Sequence, residues 1–255
     1  MTSDATARLI GDRLATVAPD RLLVVTDFDG TISEIVDEPA QARLLPEALD
    51  ALRRLVPLVL RVAVLSGRSD HFLRSQIPVA GVMLLGDYGQ VGLASGERRQ
   101  LDRFNKEARD HIRNQPDVWL EAKPASSSIH FRSRPQAGHI LQSRLTPVAE
   151  GLHLSLRPGR LVLEVTPVGA DKGRALKRLI AELRPGAVIF AGDDTGDRRA
   201  FELVGALAVP HLSVGVSSSE VGASTFAACD LIVNGPPGAA AFLACLADWA
   251  VSLRA

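Results

Sequence analysis

Cysteine is scarce in this chain of 255 residues: there are two, Cys229 and Cys245. Their spacing fits neither a metal site nor a redox motif, and they read as reduced core thiols. Net charge is lacking too. Lys plus Arg and Asp plus Glu number 29 each, so the formal charge at pH 7 is zero. That balance provides no electrostatic footprint for nucleic acid or an acidic membrane. Long hydrophobic runs are also missing. The apolar stretch from Leu55 to Leu65 is interrupted by Pro57 and Arg61 and is too short to span a membrane. Residues Met1 to Val17 mix charged and small residues and lack the apolar segment of a signal peptide. A soluble cytoplasmic protein is therefore expected. A nucleotide-binding protein is disfavoured, because neither G-x-x-x-x-G-K-[ST] nor a strand-linked G-x-G-x-x-G occurs.

What is present is a core. Hydrophobic residues make up 46% of the chain, enough for one large domain or a core with a smaller companion. After an opening helix at 4–17, the first part alternates strand and helix: strand 22–26, a helix from Pro46, strand 61–65, helix 69–76 and strand 82–85. From about residue 95 the pattern becomes helix (101–114), two strand-like runs (118–122 and 127–132), helix (136–150), and two strands (153–157 and 161–166) around Pro158-Gly159-Arg160. That order predicts an α+β insertion with antiparallel pairing, over 94–167, in a parallel-sheet core made of 1–93 and 168–255. Alternation then resumes with helix 172–183, strand 187–191, helix 197–203, strand candidates 207–209, 212–216 and 231–233, and a closing helix at 238–252.

Three predicted strands end in polar clusters. Leu22-Leu23-Val24-Val25 leads into Asp27-Phe28-Asp29-Gly30-Thr31, the second strand into Ser66-Gly67-Arg68, and a later one into Gly192-Asp193-Asp194 with Asp197. Lys172 opens a helix. In an open parallel sheet, strand C-termini share one edge, so these groups can converge there. Asp27 and Asp29, two apart on extended chain, share a side. Such like charges repel unless a cation or proton lies between them. The pair fits a Mg²⁺ site with a nucleophilic aspartate, or an acidic strand-to-loop turn. Ser66 fits a hydrogen-bond donor to a phosphoryl group or a helix cap, and Lys172 a phosphoryl-binding cation or a solvated lysine. Their occurrence together, in this order, favours phosphoryl transfer.

The four pieces resemble the motifs of haloacid-dehalogenase-type phosphatases. The segment Glu121-x-Lys123-x-x-Ser126-x-x-x-His130-Phe131-Arg132 further resembles the cap motif of trehalose-6-phosphate phosphatases. Leu163-Glu164-Val165 ahead of Lys172-Gly173 is similar to that family as well. The resemblance implies a Rossmann-like α/β core of haloacid dehalogenase type, with an inserted α+β cap that closes over the active site and reads the sugar. It implies Mg²⁺-dependent hydrolysis of a small sugar phosphate, trehalose 6-phosphate, through an aspartyl-phosphate. In that scheme Asp27 is the nucleophile and Asp29 the general acid/base. Ser66 and Lys172 bind the phosphoryl group, with Thr31, Gly67 and Arg68 beside them. Asp27, the Asp29 carbonyl and Asp193 hold the metal, supported by Asp194 or Asp197. Glu121, Lys123, His130, Arg132 and Glu164 read the sugar. Two departures keep other readings open. Gly86-Asp87-Tyr88-Gly89 replaces the family's Gly-Asn-His-Gly, and Arg198 stands where a carboxylate is usual. The alternatives are a related sugar or pseudo-disaccharide phosphate, or a catalytically silent sugar-phosphate sensor.

Overall fold

The computed structural model describes residues 3–89, 93, 95–159, 161–168 and 171–254. It divides into two compact units, Met1–Gly86 with Lys172–Ala255, and Asp87–Asp171.

The first unit is built on a six-stranded sheet. Its strands are β1 (Leu22–Thr26), β2 (Arg61–Leu65), β3 (Val82–Leu85), then, after the second unit, β8 (Ala187–Gly192), β9 (His211–Ser217) and β10 (Leu231–Asn234). The order is β10-β9-β8-β1-β2-β3, and every pairing is parallel. A central parallel strand is covered on both faces, and β1 is buried throughout. Leu22 and Val24 pack to one side, with α1 (Ser3–Leu14), α2 (Pro46–Leu55), α3 (Asp70–Gln76) and α8 (Gly235–Ser252). Leu23 and Val25 pack to the other, with α6 (Lys172–Leu183) and α7 (Arg198–Gly205). Sequence explains the helix starts. Pro46 occupies the first turn of α2, where no amide hydrogen is needed. The Ser69 hydroxyl accepts from the Phe72 amide at 3.2 Å and caps α3.

The second unit is antiparallel. Strands β4 (Trp119–Ala122), β5 (Ser127–His130), β6 (Leu154–Gly159) and β7 (Val162–Pro167) are ordered β4-β5-β7-β6. Helices α4 (Ser95–Ile112) and α5 (Ala137–Gly151) share one apolar cluster with Ile129, Leu163 and Val165. Side chains alternate along each strand, so the residues between these carry the opposite, polar face. Asp87 and Tyr88 belong to this unit: the Ser126 hydroxyl lies 3.4 Å from Asp87, and the Tyr88 phenol donates to Glu164.

Some expected elements differ. Leu207-Ala208-Val209 is not a strand. The amides of Ala206 and Leu207 close turns onto α7, and β9 starts only after Pro210. Helix α4 begins at Ser95, since Gly96 and the run Glu97–Gln100 hide its apolar period. Helix α8 starts at Gly235 because prolines 236 and 237 fit a first turn. Arg160, and residues 90–92 and 94 around the expected boundary at 93/94, lie outside the described residues. Among the described residues, no helix is long and apolar enough to cross a membrane.

Candidate active site

The C-terminal ends of β1, β2 and β8 lie side by side, and each delivers its polar cluster there. The Asp27 amide continues the ladder, donating to the Ala191 carbonyl at 2.9 Å. Gly30 then turns the chain with φ 72°, in the left-handed region, and a Cβ at this position would collide with the Asp193 carboxylate. Glycine is required on both counts. The Thr31 hydroxyl faces an Asp193 oxygen at 3.4 Å.

Lys172 joins the cluster from the start of α6. Its ammonium lies 2.9 Å from Asp27 and 2.7 Å from Asp197, and all three side chains are almost completely shielded from water. Asp197 uses both oxygens: one meets Lys172, and the other accepts from the amides of Asp193 at 2.9 Å and Asp194 at 3.1 Å. Asp194 turns away and accepts from the Gly196 amide at 2.8 Å, closing a short 3₁₀ turn at 195–197. Asp197 is thus a scaffold for Lys172 and for the Asp193 loop, and Asp194 is a local cap.

Burial sets the electrostatics. It pushes the Asp27 carboxyl above the ordinary carboxylate value; Lys172 opposes this, while Asp194 and Asp29 add to it. Burial likewise holds Asp197 well above that value, against Lys172 and with Asp27 and Asp194. For Lys172, burial disfavours the charge, but Asp197 and then Asp27 outweigh it and hold the ammonium well above the ordinary lysine value. Two acids share one cation, so the cluster has room for further positive charge. Asp27, Asp193 and Asp197 bring ligand oxygens within 4.8 Å of one another. An all-oxygen donor set of this kind fits a hard divalent cation. With both Asp197 oxygens committed, Asp27 and Asp193 are the ligands the geometry favours.

Asp29 and Arg68 are paired. The guanidinium grips the carboxylate through two bonds of 2.6 and 2.7 Å. Arg68 is itself held by the Pro39 carbonyl at 2.8 Å and by the Phe72 ring, 4.6 Å below it. The sequence suggested Arg68 as a substrate contact, whereas its visible role is to clamp Asp29. The Ser66 hydroxyl is buried and accepts from the Arg68 amide at 3.1 Å, while Gly67 is half-buried in the same turn.

The remaining candidates lie in the second unit. Trp119, Glu121, Ser128, His130 and Glu164 share the polar sheet face, since Trp119 opposes His130, Glu121 opposes Ser128, and Ser128 opposes Glu164. Glu121 contacts His130 Nε2 at 2.9 Å and Lys123 at 3.8 Å. Arg132 is half-buried just past β5. Tyr88, marked by the sequence only as a departure, pairs with Glu164 across 76 positions of chain. Asp87 and Tyr88 both have positive φ, 48° and 59°, an uncommon conformation for residues with a Cβ. Trp119 was not singled out from the sequence; its ring stacks on His130. Arg198 is exposed and pairs with Glu202 within α7.

Comparison with known proteins comes to the same fold. Residues 25–229 match the trehalose-phosphatase family model. The trehalose-phosphate phosphatase of Mycobacterium tuberculosis (strain H37Rv) is 32% identical over 234 residues, covering 78% of this chain and 59% of its own. That of Mycolicibacterium paratuberculosis is 33% identical over 246 residues, covering 88% and 62%. The chain therefore spans about three fifths of the length of these relatives. Among solved structures, the C-terminal domain of Candida albicans trehalose-6-phosphate phosphatase superposes with TM-score 0.74 at 19% identity, covering 97% of each chain. A haloacid dehalogenase-like hydrolase from Bacteroides thetaiotaomicron gives 0.64 at 16% identity, covering 87% of this chain and 97% of that one. At these identities the likeness is one of fold.

Proposed function

This chain belongs to the trehalose-phosphatase family, and on that footing we propose that it hydrolyses trehalose 6-phosphate to trehalose and phosphate. The observation that carries the reading is the buried Asp27–Lys172–Asp197 cluster, with Asp29 two residues from Asp27 on the same strand end. Asp27 and Asp193 would hold Mg²⁺ with the Asp29 backbone carbonyl. A bound cation would offset the negative charge of the phosphoryl oxygens and so lower the repulsion that the Asp27 carboxylate meets.

The residues divide the work as follows. An Asp27 oxygen attacks phosphorus, the ester P–O bond breaks, and the leaving sugar oxygen takes a proton from Asp29. Water then gives a proton back to Asp29 and attacks the phosphorus of phospho-Asp27. The P–O bond to Asp27 breaks, and phosphate leaves. Lys172 and Ser66 stabilise the phosphoryl oxygens. Both Asp29 oxygens accept from Arg68, so carrying the proton that it donates requires one of them to part from the guanidinium. Thr31 steadies Asp193. Glu121, Lys123, His130, Arg132 and Glu164 hydrogen-bond the sugar hydroxyls.

A second reading keeps the chemistry and changes the sugar. It is favoured by the Tyr88 phenol, which occupies Glu164. Phosphate release from trehalose 6-phosphate, beside a panel of mono- and disaccharide phosphates, separates the two. Preference for trehalose 6-phosphate, lost with a chelator and in Asp27→Asn, supports the first reading. Preference for another member of the panel selects the second, and inactivity on every member overturns both.

A further inference from the structure

We propose that Trp119 is a specificity residue of the sugar site, offering one indole face as a platform for the pyranose ring of the substrate. The inference rests on the reading of Glu121 and His130 as sugar contacts.

Among the described residues, Trp119 is one of the few large apolar side chains left in water, 44% exposed. It is also fixed. Its ring lies 4.1 Å from the His130 ring, centroid to centroid, at an interplanar angle of 15°. A stack of this kind orients both rings. Among the described residues, strand β4 is the edge of its sheet and pairs only with β5, with no further strand beyond Trp119. His130 covers one indole face from the neighbouring strand, which leaves the opposite face for a ligand.

Its surroundings identify the occupant. Glu121 is two residues along β4, on the same side, and is bonded to the imidazole that carries the stack. Lys123 follows at 3.8 Å from Glu121. The Ser128 hydroxyl, opposite Glu121 in register, is buried and has no hydrogen-bond partner among the described residues. A rigid aromatic face beside a carboxylate, an imidazole and an ammonium matches a pyranose, which has C–H faces and a hydroxyl rim. Ligand sites combine apolar walls with a few placed polar groups in this way. A protein partner would also cover an exposed indole, but it gives no reason for the hydrogen-bonding set on the same face.

The test uses Trp119→Ala and Trp119→Phe in the full chain, with the preferred sugar phosphate and with p-nitrophenyl phosphate, which has no sugar. In Trp119→Ala, KM for the sugar phosphate should rise at least about fivefold, with p-nitrophenyl phosphate turnover unchanged. Trp119→Phe should recover most of the loss. An unchanged sugar-phosphate KM, or an equal loss on both substrates, overturns the proposal. If the wild type cleaves no sugar phosphate, the proposed function fails separately. The platform is then judged by calorimetric titration with trehalose: binding lost in Trp119→Ala upholds it, and absent or unaltered binding overturns it.

Discussion

In the parallel-sheet unit one ammonium lies 2.9 Å from Asp27 and 2.7 Å from Asp197, with all three groups sealed from water. In the antiparallel unit Glu121 meets His130 at 2.9 Å, yet its side chain stays 30% exposed. The first cluster holds charge where charge is costly, so each member depends on the others. The second holds polar groups at a half-wet surface, where each pair contributes little to stability. Folding and chemistry are therefore coupled in the first and separable in the second. Substitutions in the first should alter both, whereas those in the second should alter recognition alone.

The largest effect tests the chemical half of that contrast. Asp27→Asn should lower phosphate release by roughly 10⁴-fold or more, as removal of a nucleophile acting in a coupled set does. The protein should stay folded, because the amide keeps the shape of the carboxylate and relieves one buried charge. Phosphate assay and circular dichroism measure the two separately. Residual activity within tenfold of wild type would remove Asp27 from the nucleophile's role.

Next comes the stability half. Lys172→Met leaves Asp27 and Asp197 buried without their cation and should cost about 3–5 kcal/mol. Glu121→Gln keeps its shape and should cost about 1 kcal/mol or less. Denaturant melts of the two variants sharpen the comparison, and equal losses would break it.

The pH response has a definite sign. Asp197 has a folded pKa well above the ordinary carboxylate value, because burial disfavours its charge. In the window between the ordinary and the raised value, the native state binds more protons than the unfolded chain. This group's contribution is therefore fully present below the ordinary value and is lost as pH rises through the raised one. Asp197→Asn carries no such proton. In metal-free protein, its stability relative to wild type should climb as pH rises from the acid side of that window to the neutral side. A flat difference in melting midpoint across the range would show that Lys172 alone compensates Asp197.

How much of this could be read in the chain depends on range. Leu22–Val25 reads as a buried strand because both faces of a central parallel strand are apolar, and the polar groups at its end follow within a few residues. The same logic located Ser66 and Asp193. It failed at Leu207–Val209, where Leu207 and Val209 pack on the core from a turn and Pro210 delays β9. The chain alone does not choose between Asp194 and Asp197, because both are acids on one loop. What distinguishes them is a contact: Asp197 reaches Lys172, 25 positions away in sequence. The Arg68 clamp on Asp29 and the Trp119–His130 stack are hidden for the same reason. Each depends on register or rotamer, which short motifs do not specify.

Tyr88 gives the smallest effect and the finest test of the contrast. Its backbone has φ 59° and ψ 33°, and Asp87 before it has φ 48°. Holding a non-glycine residue there costs of order 1 kcal/mol. The conformation is retained while the phenol donates to Glu164, a carboxylate assigned above to the sugar. A hydrogen bond to a charged group is worth about 1.5–3 kcal/mol, and part of that offsets the strain. Tyr88→Phe keeps the ring and removes only the donor. Stability should fall by about 1 kcal/mol, and p-nitrophenyl phosphate turnover should hold. KM should shift severalfold on sugar phosphates alone, because Glu164 regains an acceptor position for a sugar hydroxyl. If KM for trehalose 6-phosphate falls in Tyr88→Phe, the phenol is what steers this site away from trehalose. A rise would instead make the phenol the group that holds Glu164 in its reading position. No change on any sugar phosphate would confine the pair to structure, and recognition on this face would then rest on Glu121, His130 and Lys123.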